Sequence, residues 1–192
     1  MSKNAFWVAV IIAAAIVGAL SGPALARSLS PGAMTIFSVV TLIAIVALIV
    51  WSLSSNKSGK KADTAALADA RTMRAPEGKA RIYVTRRGFV AALQGMNVTL
   101  DDSAKGQIKS GQMLMADVAP GPHRLHAAMA KGLMANAGMM EIEAGAGDVV
   151  VVDAMFEMSA LKGDAKLTRL EGAKARENVH ATKLILWEIA PV

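Results

Sequence analysis

Two long apolar runs lie within the first 53 residues. Residues 33–53 (AMTIFSVVTLIAIVALIVWSL) contain 21 positions without a charge, enough at a rise of about 1.5 Å per residue to cross the hydrocarbon core of a bilayer. Residues 5–22 are also apolar, and Ala14, Gly18 and Gly22 recur every four positions, a spacing that lets two helices approach closely. The pattern predicts a transmembrane helical hairpin of residues 5–22 and 33–53.

The first apolar run also fits a secretory signal peptide. Lys3 would form its charged start, residues 5–20 its apolar middle, and Ala24-Leu25-Ala26 its cleavage site. The uncleaved hairpin is the favoured interpretation. Cleavage would leave residues 33–53 as a single predicted span.

Beyond residue 80 the pattern changes to short runs separated by turn residues. Alternating apolar and polar positions, or short apolar runs, predict strands at 80–84, 96–102, 106–110, 112–118, 123–130, 138–144, 149–158, 166–172 and 182–189. The four valines at 149–152 indicate a strand covered on both faces. A short helix is predicted over 171–180. This spacing predicts a mainly β fold, a small antiparallel β-sandwich with a short C-terminal helix.

The pattern therefore divides the chain into three segments. Residues 1–53 contain the two predicted transmembrane helices, residues 54–79 form a basic linker, and residues 80–192 form the β-sandwich domain. Within the linker, the alanine-rich stretch after Asp63 predicts a short helix with Asp63 as its N-cap.

Charged residues are distributed unevenly along the chain, and their distribution supports the division into three segments. The chain of 192 residues has a formal net charge of +6, yet residues 54–90 alone hold nine Lys or Arg against three acids. Such a basic segment is typical of attraction to anionic lipid headgroups and argues against nucleic-acid binding. By the positive-inside rule, the sequence predicts a multi-pass protein of the bacterial inner membrane whose C-terminal domain faces the cytoplasm.

The stretch from Asn97 to Leu125 resembles the central part of small bacterial β-sandwich domains of the PEGA type and of a related uncharacterised family. Pro120, Gly121, His123 and Leu125 match a P-G-x-H-x-L element, and Gly111 matches a turn glycine. Asp101-Asp102 stands where these families usually have Asp-Gly. The resemblance covers residues 80 to about 158, and it implies a non-catalytic domain that is often extracytoplasmic.

Three histidines raise the question of a metal site. His123 and His126 are three positions apart, so on a strand they point to opposite faces and cannot share an ion. His180 is distant from both in sequence. No metal site is predicted from these residues.

The chain also has 12 methionines, and thioethers can bind Cu(I). The candidates are Met113, Met115, Met139, Met140, Met155 and Met158. Alternation of Met113 and Met115 on one strand face predicts instead that they point into the sandwich core, because methionine fills irregular gaps.

No catalytic constellation is predicted. The chain has no cysteine, which excludes thiolate nucleophiles and Cys-based metal sites. Ser110 and Ser159 lack a nucleophile elbow, Asp101-Asp102 has the composition of a turn, and residues 145–148 do not open a helix as a phosphate loop would. The sequence predicts a membrane-anchored, non-catalytic interaction module with an unknown protein partner and no cofactor. The alternative is a methionine-based metal or ligand sensor.

Overall fold

A computed structural model of the protein describes residues 30–53, 59–130, 135–158 and 162–190. The chain divides into two units, Met1–Ser54 and Ser55–Val192. Every described strand belongs to the second unit, which is called the β-domain below.

In the first unit, helix α1 spans Pro31–Leu53. No helix in the described residues is long and apolar enough to cross a membrane. The predicted transmembrane hairpin is therefore wrong for its second segment, 33–53. Its first segment, 5–22, lies outside the described residues, and the inferred orientation stays a prediction.

The β-domain is built mainly from strands, as the alternating pattern predicted. They are β1 (Ala80–Arg86), β2 (Met96–Leu100), β3 (Ala104–Ile108), β4 (Gln112–Val118), β5 (Gly121–Met129), β6 (Ala135–Asn136), β7 (Gly138–Ala144), β8 (Val149–Met158), β9 (Gly163–Leu170) and β10 (Lys183–Leu184). The predicted final strand is mostly wrong, because only β10 forms within residues 182–189. Ile185 and Ile189 beyond it make single bridges to Lys61 and Lys105.

Two helices accompany the strands. Helix α2 spans Thr64–Thr72, and the Asp63 carboxylate accepts a hydrogen bond from the Ala66 amide at 2.7 Å. This confirms the predicted helix and its N-cap. Helix α3 spans Gly172–Ala181, one residue from the predicted 171–180.

The strands pair into two sheets, one of six strands in the order β10-β4-β1-β8-β9-β6 and one of four in the order β3-β2-β5-β7. The four-stranded sheet is antiparallel throughout. In the six-stranded sheet, β1 runs parallel to β8, β10 to β4, and β6 to β9. The antiparallel prediction is wrong for this sheet, because alternation shows which face of a strand is buried and not which strand lies beside it.

The six-stranded sheet is buried on both of its faces. Its inner face, with Val84, Leu114 and Val152, packs against the four-stranded sheet to form the sandwich core. Its outer face is covered by α2 and α3 in a second core that contains Tyr83, Met113, Val151, Ala70, Ala175 and Val179. The valine run of β8 supplies both cores, as its sequence predicted.

Candidate functional site

Three of the exposed large apolar side chains described in the β-domain, including the most exposed one, lie on one loop. This loop, residues 87–95 between β1 and β2, is called the apolar tip below. Phe89 is 92% exposed, Leu93 73% and Val90 43%. Isolated exposed apolar residues are common on soluble domains, whereas three within five positions indicate a surface that is covered by something else.

The apolar tip is held from inside by a buried arginine. Arg86, the last residue of β1, is fully buried. Its Nη1 donates to the carbonyl oxygens of Gln94 at 2.6 Å and Ile108 at 3.3 Å, and its Nη2 donates to Ala91 O at 2.8 Å. The planar guanidinium therefore connects β1 to the loop and to the end of β3. Ala91 adopts a positive φ of 53°, an αL conformation that the surrounding bonds hold in place.

No described carboxylate balances the charge of Arg86. Burial lowers the pKa of the Arg86 guanidinium, because removal from water disfavours its charged form. Its Nε has no hydrogen-bond partner among the described residues. Three backbone carbonyl oxygens therefore hold the Arg86 side chain in place. Through these hydrogen bonds, Arg86 fixes the conformation of the apolar tip.

Beside the tip, a polar network joins β1 and β8 to α3. The Thr85 hydroxyl lies 3.2 Å from Asp153 Oδ1, and Asn178 Nδ2 donates to the Thr85 oxygen at 3.2 Å. Arg87 Nη1 contacts Asn178 Oδ1 at 3.1 Å and Glu177 Oε1 at 2.8 Å. Burial raises the pKa of Asp153, and the hydrogen bond from Thr85 opposes that shift. A buried carboxyl held by neutral donors, with Arg87 as the cation acting on it, has the features of a structural network.

The structure separates the three histidines. His123 Nδ1 lies 2.7 Å from Asp101 Oδ2, and its Nε2 lies 2.8 Å from Ala119 O. Partial burial lowers the pKa of His123, but these two hydrogen bonds outweigh burial, so its pKa is raised overall. His126 lies on the opposite face of β5, and His180 lies on α3. In the described residues, no three His, Asp or Glu side chains are grouped so that they could hold a metal ion.

Asp101 completes a turn with Asp102, both at positive φ, between β2 and β3. Asp101 Oδ1 also accepts from the Arg124 amide at 2.8 Å. Aspartate tolerates this left-handed conformation better than most residues, which explains how the pair occupies a turn where glycine is expected.

Met113 and Met115 do not point into the sandwich core, and that prediction is wrong. Both lie on the outer face of the six-stranded sheet, where Met113 is buried and Met115 partly buried in the second core. Their alternation was real, but both faces of the sheet are covered, so alternation alone did not identify the face. Met139 and Met158 are exposed, and Met140 packs against the sandwich core. The methionine-based sensor stays a prediction.

The remaining sequence candidates lie in turns. The Ser110 amide donates to Ala92 O at 3.3 Å and so fastens the β3–β4 turn to the apolar tip. Ser159 lies outside the described residues. Residues 145–148 connect β7 to β8, where the Asp148 carboxylate accepts from the Gly145 amide at 2.8 Å.

Sequence reasoning missed the apolar tip. Its signal is the run Phe89-Val90-Ala91-Ala92-Leu93, which is apolar without the alternation of a strand and lies between two predicted strands. Such a run in a connecting segment indicates exposure as much as burial.

No family model matches the chain, and comparison with curated proteins also finds no match. The resemblance to PEGA-type domains therefore stays a prediction.

Proposed function

We propose that the β-domain is a non-catalytic interaction module that binds a partner protein through the apolar tip. The observation that carries this proposal is the exposure of Phe89, Val90 and Leu93 on one loop. An aromatic residue flanked by aliphatic ones is a common anchor in protein interfaces, because such side chains bury large apolar areas in a partner's pocket.

The attachment of the loop supports the same role. Arg86 fixes two carbonyl oxygens of the tip, and the Ser110 amide fixes a third, Ala92 O. A loop that is already ordered loses less conformational entropy when it binds. A convex tip of this kind fits a partner with an apolar groove.

The test compares co-purification of the full chain with that of two variants from the cells that produce it. Phe89→Ser removes the anchor, and Met139→Ser removes another exposed apolar side chain, on β7, as a control. We expect at least one protein to be recovered with the wild type and with Met139→Ser, and to be lost with Phe89→Ser.

Reconstitution decides whether the recovered protein is the partner. The purified protein should bind the wild-type chain at least about tenfold more tightly than the Phe89→Ser chain, since truncating an anchor residue costs about 2 kcal/mol or more. If every recovered protein binds the Phe89→Ser and wild-type chains equally, the apolar tip is not the interaction surface.

A further inference from the structure

One edge of each sheet is covered by another segment of the chain itself. On β3, the Lys105 amide donates to Ile189 O at 2.9 Å, and the Glu188 amide donates to Lys105 O at 2.8 Å. On β10, the Ala62 amide donates to Leu184 O at 3.0 Å. An edge covered in this way offers fewer free backbone groups to a strand of another chain.

Strand β7, with seven residues, is the longest strand at an edge of either sheet. One side of β7 pairs with β5, and no strand or single bridge among the described residues pairs with its other side. Strand β6, at the remaining edge, has only two residues. A long unpaired edge can accept an extended segment as an additional strand, because its backbone groups still lack partners.

The hydrogen bonds of β5 show which backbone groups of β7 face the open side. Residues of an antiparallel strand direct their N–H and C=O groups alternately to the two neighbouring strands. Arg124 O accepts from the Asp101 amide at 2.9 Å, so Arg124 bonds toward β2 and the next residue, Leu125, bonds toward β7. Leu125 is paired with Met140 of β7. The backbone groups that face the open side therefore belong to Met139, Glu141 and Glu143.

The charge on this edge determines which strands can pair with it. Glu141 and Glu143 are exposed, and neither forms an ion pair with a described residue. Arg124, opposite Glu141 on β5, places its Nη1 at 3.5 Å from Asp102 Oδ2 instead. Opposite charges on facing strand positions are stabilising, and like charges are destabilising. The two glutamates therefore oppose a two-fold pairing of β7 with its copy about Glu141, and they favour a strand with cations at alternate positions.

We propose that the open edge of β7 binds an extended protein segment as an additional antiparallel strand, with Lys or Arg at the two positions opposite Glu143 and Glu141. The backbone of this segment exchanges hydrogen bonds with both glutamates. Its two cationic side chains lie two residues apart and therefore on the same face as the carboxylates. No residue of the apolar tip takes part, so this proposal does not depend on the proposed function.

The test uses a fluorescently labelled peptide with the core Lys-Thr-Lys-Thr-Val, whose binding to the full chain is measured by anisotropy at constant ionic strength. The peptide should bind saturably, and a peptide with glutamate in place of both lysines should bind at least about tenfold more weakly. Binding should also slow amide hydrogen exchange at Met139, Glu141 and Glu143, because these amides gain acceptors.

Two N-methylated peptides separate strand pairing from a simple attraction between charges. Methylation of both lysine backbone nitrogens removes the donors that face β7, and it should abolish binding. Methylation of both threonine backbone nitrogens removes donors that face away from β7, and it should leave binding largely intact. Equal binding of the two methylated peptides would show that no strand forms, and the proposal would be wrong.

Variants of the chain locate the peptide. Glu141→Lys and Glu143→Lys should each weaken its binding by roughly five- to tenfold, because an attractive cross-strand pair becomes a repulsive one. Both residues are exposed, so both variants should melt as the wild type does. Glu171→Lys, with the same change of charge at the start of α3, should leave binding unchanged, and so should Phe89→Ser. Absence of saturable binding, a preference for the glutamate peptide, or equal weakening by Glu171→Lys or Phe89→Ser would each overturn the proposal.

Discussion

The two ends of strand β1 each bury an arginine, and the partners of the two side chains are opposite in kind. At the start of the strand, Arg81 Nε and Nη2 donate to the Asp117 carboxylate at 2.6 and 3.0 Å. Its Nη1 lies 2.8 Å from Asp69 Oδ2, close enough for an ion pair although not aligned for a hydrogen bond. At the end of the strand, Arg86 has carbonyl oxygens as its hydrogen-bond partners.

The two ends of β1 therefore differ in whether their surroundings favour the charged form of a buried side chain. The hydrogen bond to Asp117 raises the pKa of Arg81 despite its burial, so the start of β1 favours the charged form. Burial lowers the pKa of Arg86 and raises the pKa of Asp153, which contacts Thr85, so the end of β1 disfavours charge of either sign. At the start of β1, carboxylates stabilise the charge of Arg81. At the end of β1, Arg86 instead contributes by connecting β1, the apolar tip and the end of β3 through hydrogen bonds.

The largest effect is expected from Arg86→Ala. It leaves the carbonyl oxygens of Gln94, Ile108 and Ala91 without their donor in a buried setting, and we expect the free energy of unfolding to fall by about 3–5 kcal/mol. Urea unfolding of the full chain measures this loss. Arg124→Ala, an exposed control, should stay within about 0.5 kcal/mol of the wild type.

Arg81→Ala should cost less, about 1–3 kcal/mol by urea unfolding. Its partners are more exposed than those of Arg86, with 28% of the Asp117 side chain and 55% of the Asp69 side chain accessible, so water can replace the lost bonds. Part of the loss should disappear at high salt, because salt screens exposed charges. If Arg81→Ala cost more than Arg86→Ala, the contrast between the two ends would be reversed.

Asp153→Asn tests whether the end of β1 disfavours negative charge as well. The raised pKa of Asp153 means that its contribution to stability is present below the unfolded pKa of about 3.9 and is lost as pH rises through the folded pKa. The wild type should therefore lose stability relative to Asp153→Asn as pH rises from 3 to 8. Thermal unfolding across that range measures the difference, and a constant difference would contradict the prediction.

The smallest effect is expected at His123, where an ion pair like that of Arg81 has a cation that titrates. The raised pKa of His123 gives stability that is present below the unfolded pKa of about 6.5 and is lost as pH rises through the folded pKa. His123→Gln should destabilise the domain by up to about 1 kcal/mol at pH 5 and by less at pH 9. A larger loss at pH 9, measured by urea unfolding, would show that packing and not charge accounts for the residue.

Features that depend on neighbouring residues could be predicted from the sequence, whereas the packing of distant segments against one another could not. Asp63 could be assigned as an N-cap, and most strands could be placed, because capping and alternation depend on neighbouring residues. The burial face of Met113 could not be assigned, because helices cover the outer side of the sheet. The apolar tip could not be predicted for a related reason, because Arg86 joins it to Ile108 at the end of β3, 22 residues later in the chain.

The parallel pairing of β1 with β8 has a consequence for folding. It joins Arg81 to Val149, about 70 residues later, at the centre of the larger sheet. Pairs so distant in the chain form slowly, because a long loop must close before any contact compensates for its entropy. During synthesis, β1 can pair with β4 as soon as residue 118 has emerged, but its other edge stays open until β8 follows. For that interval the growing chain exposes an unpaired strand edge, the feature on which chaperones and aggregation both act.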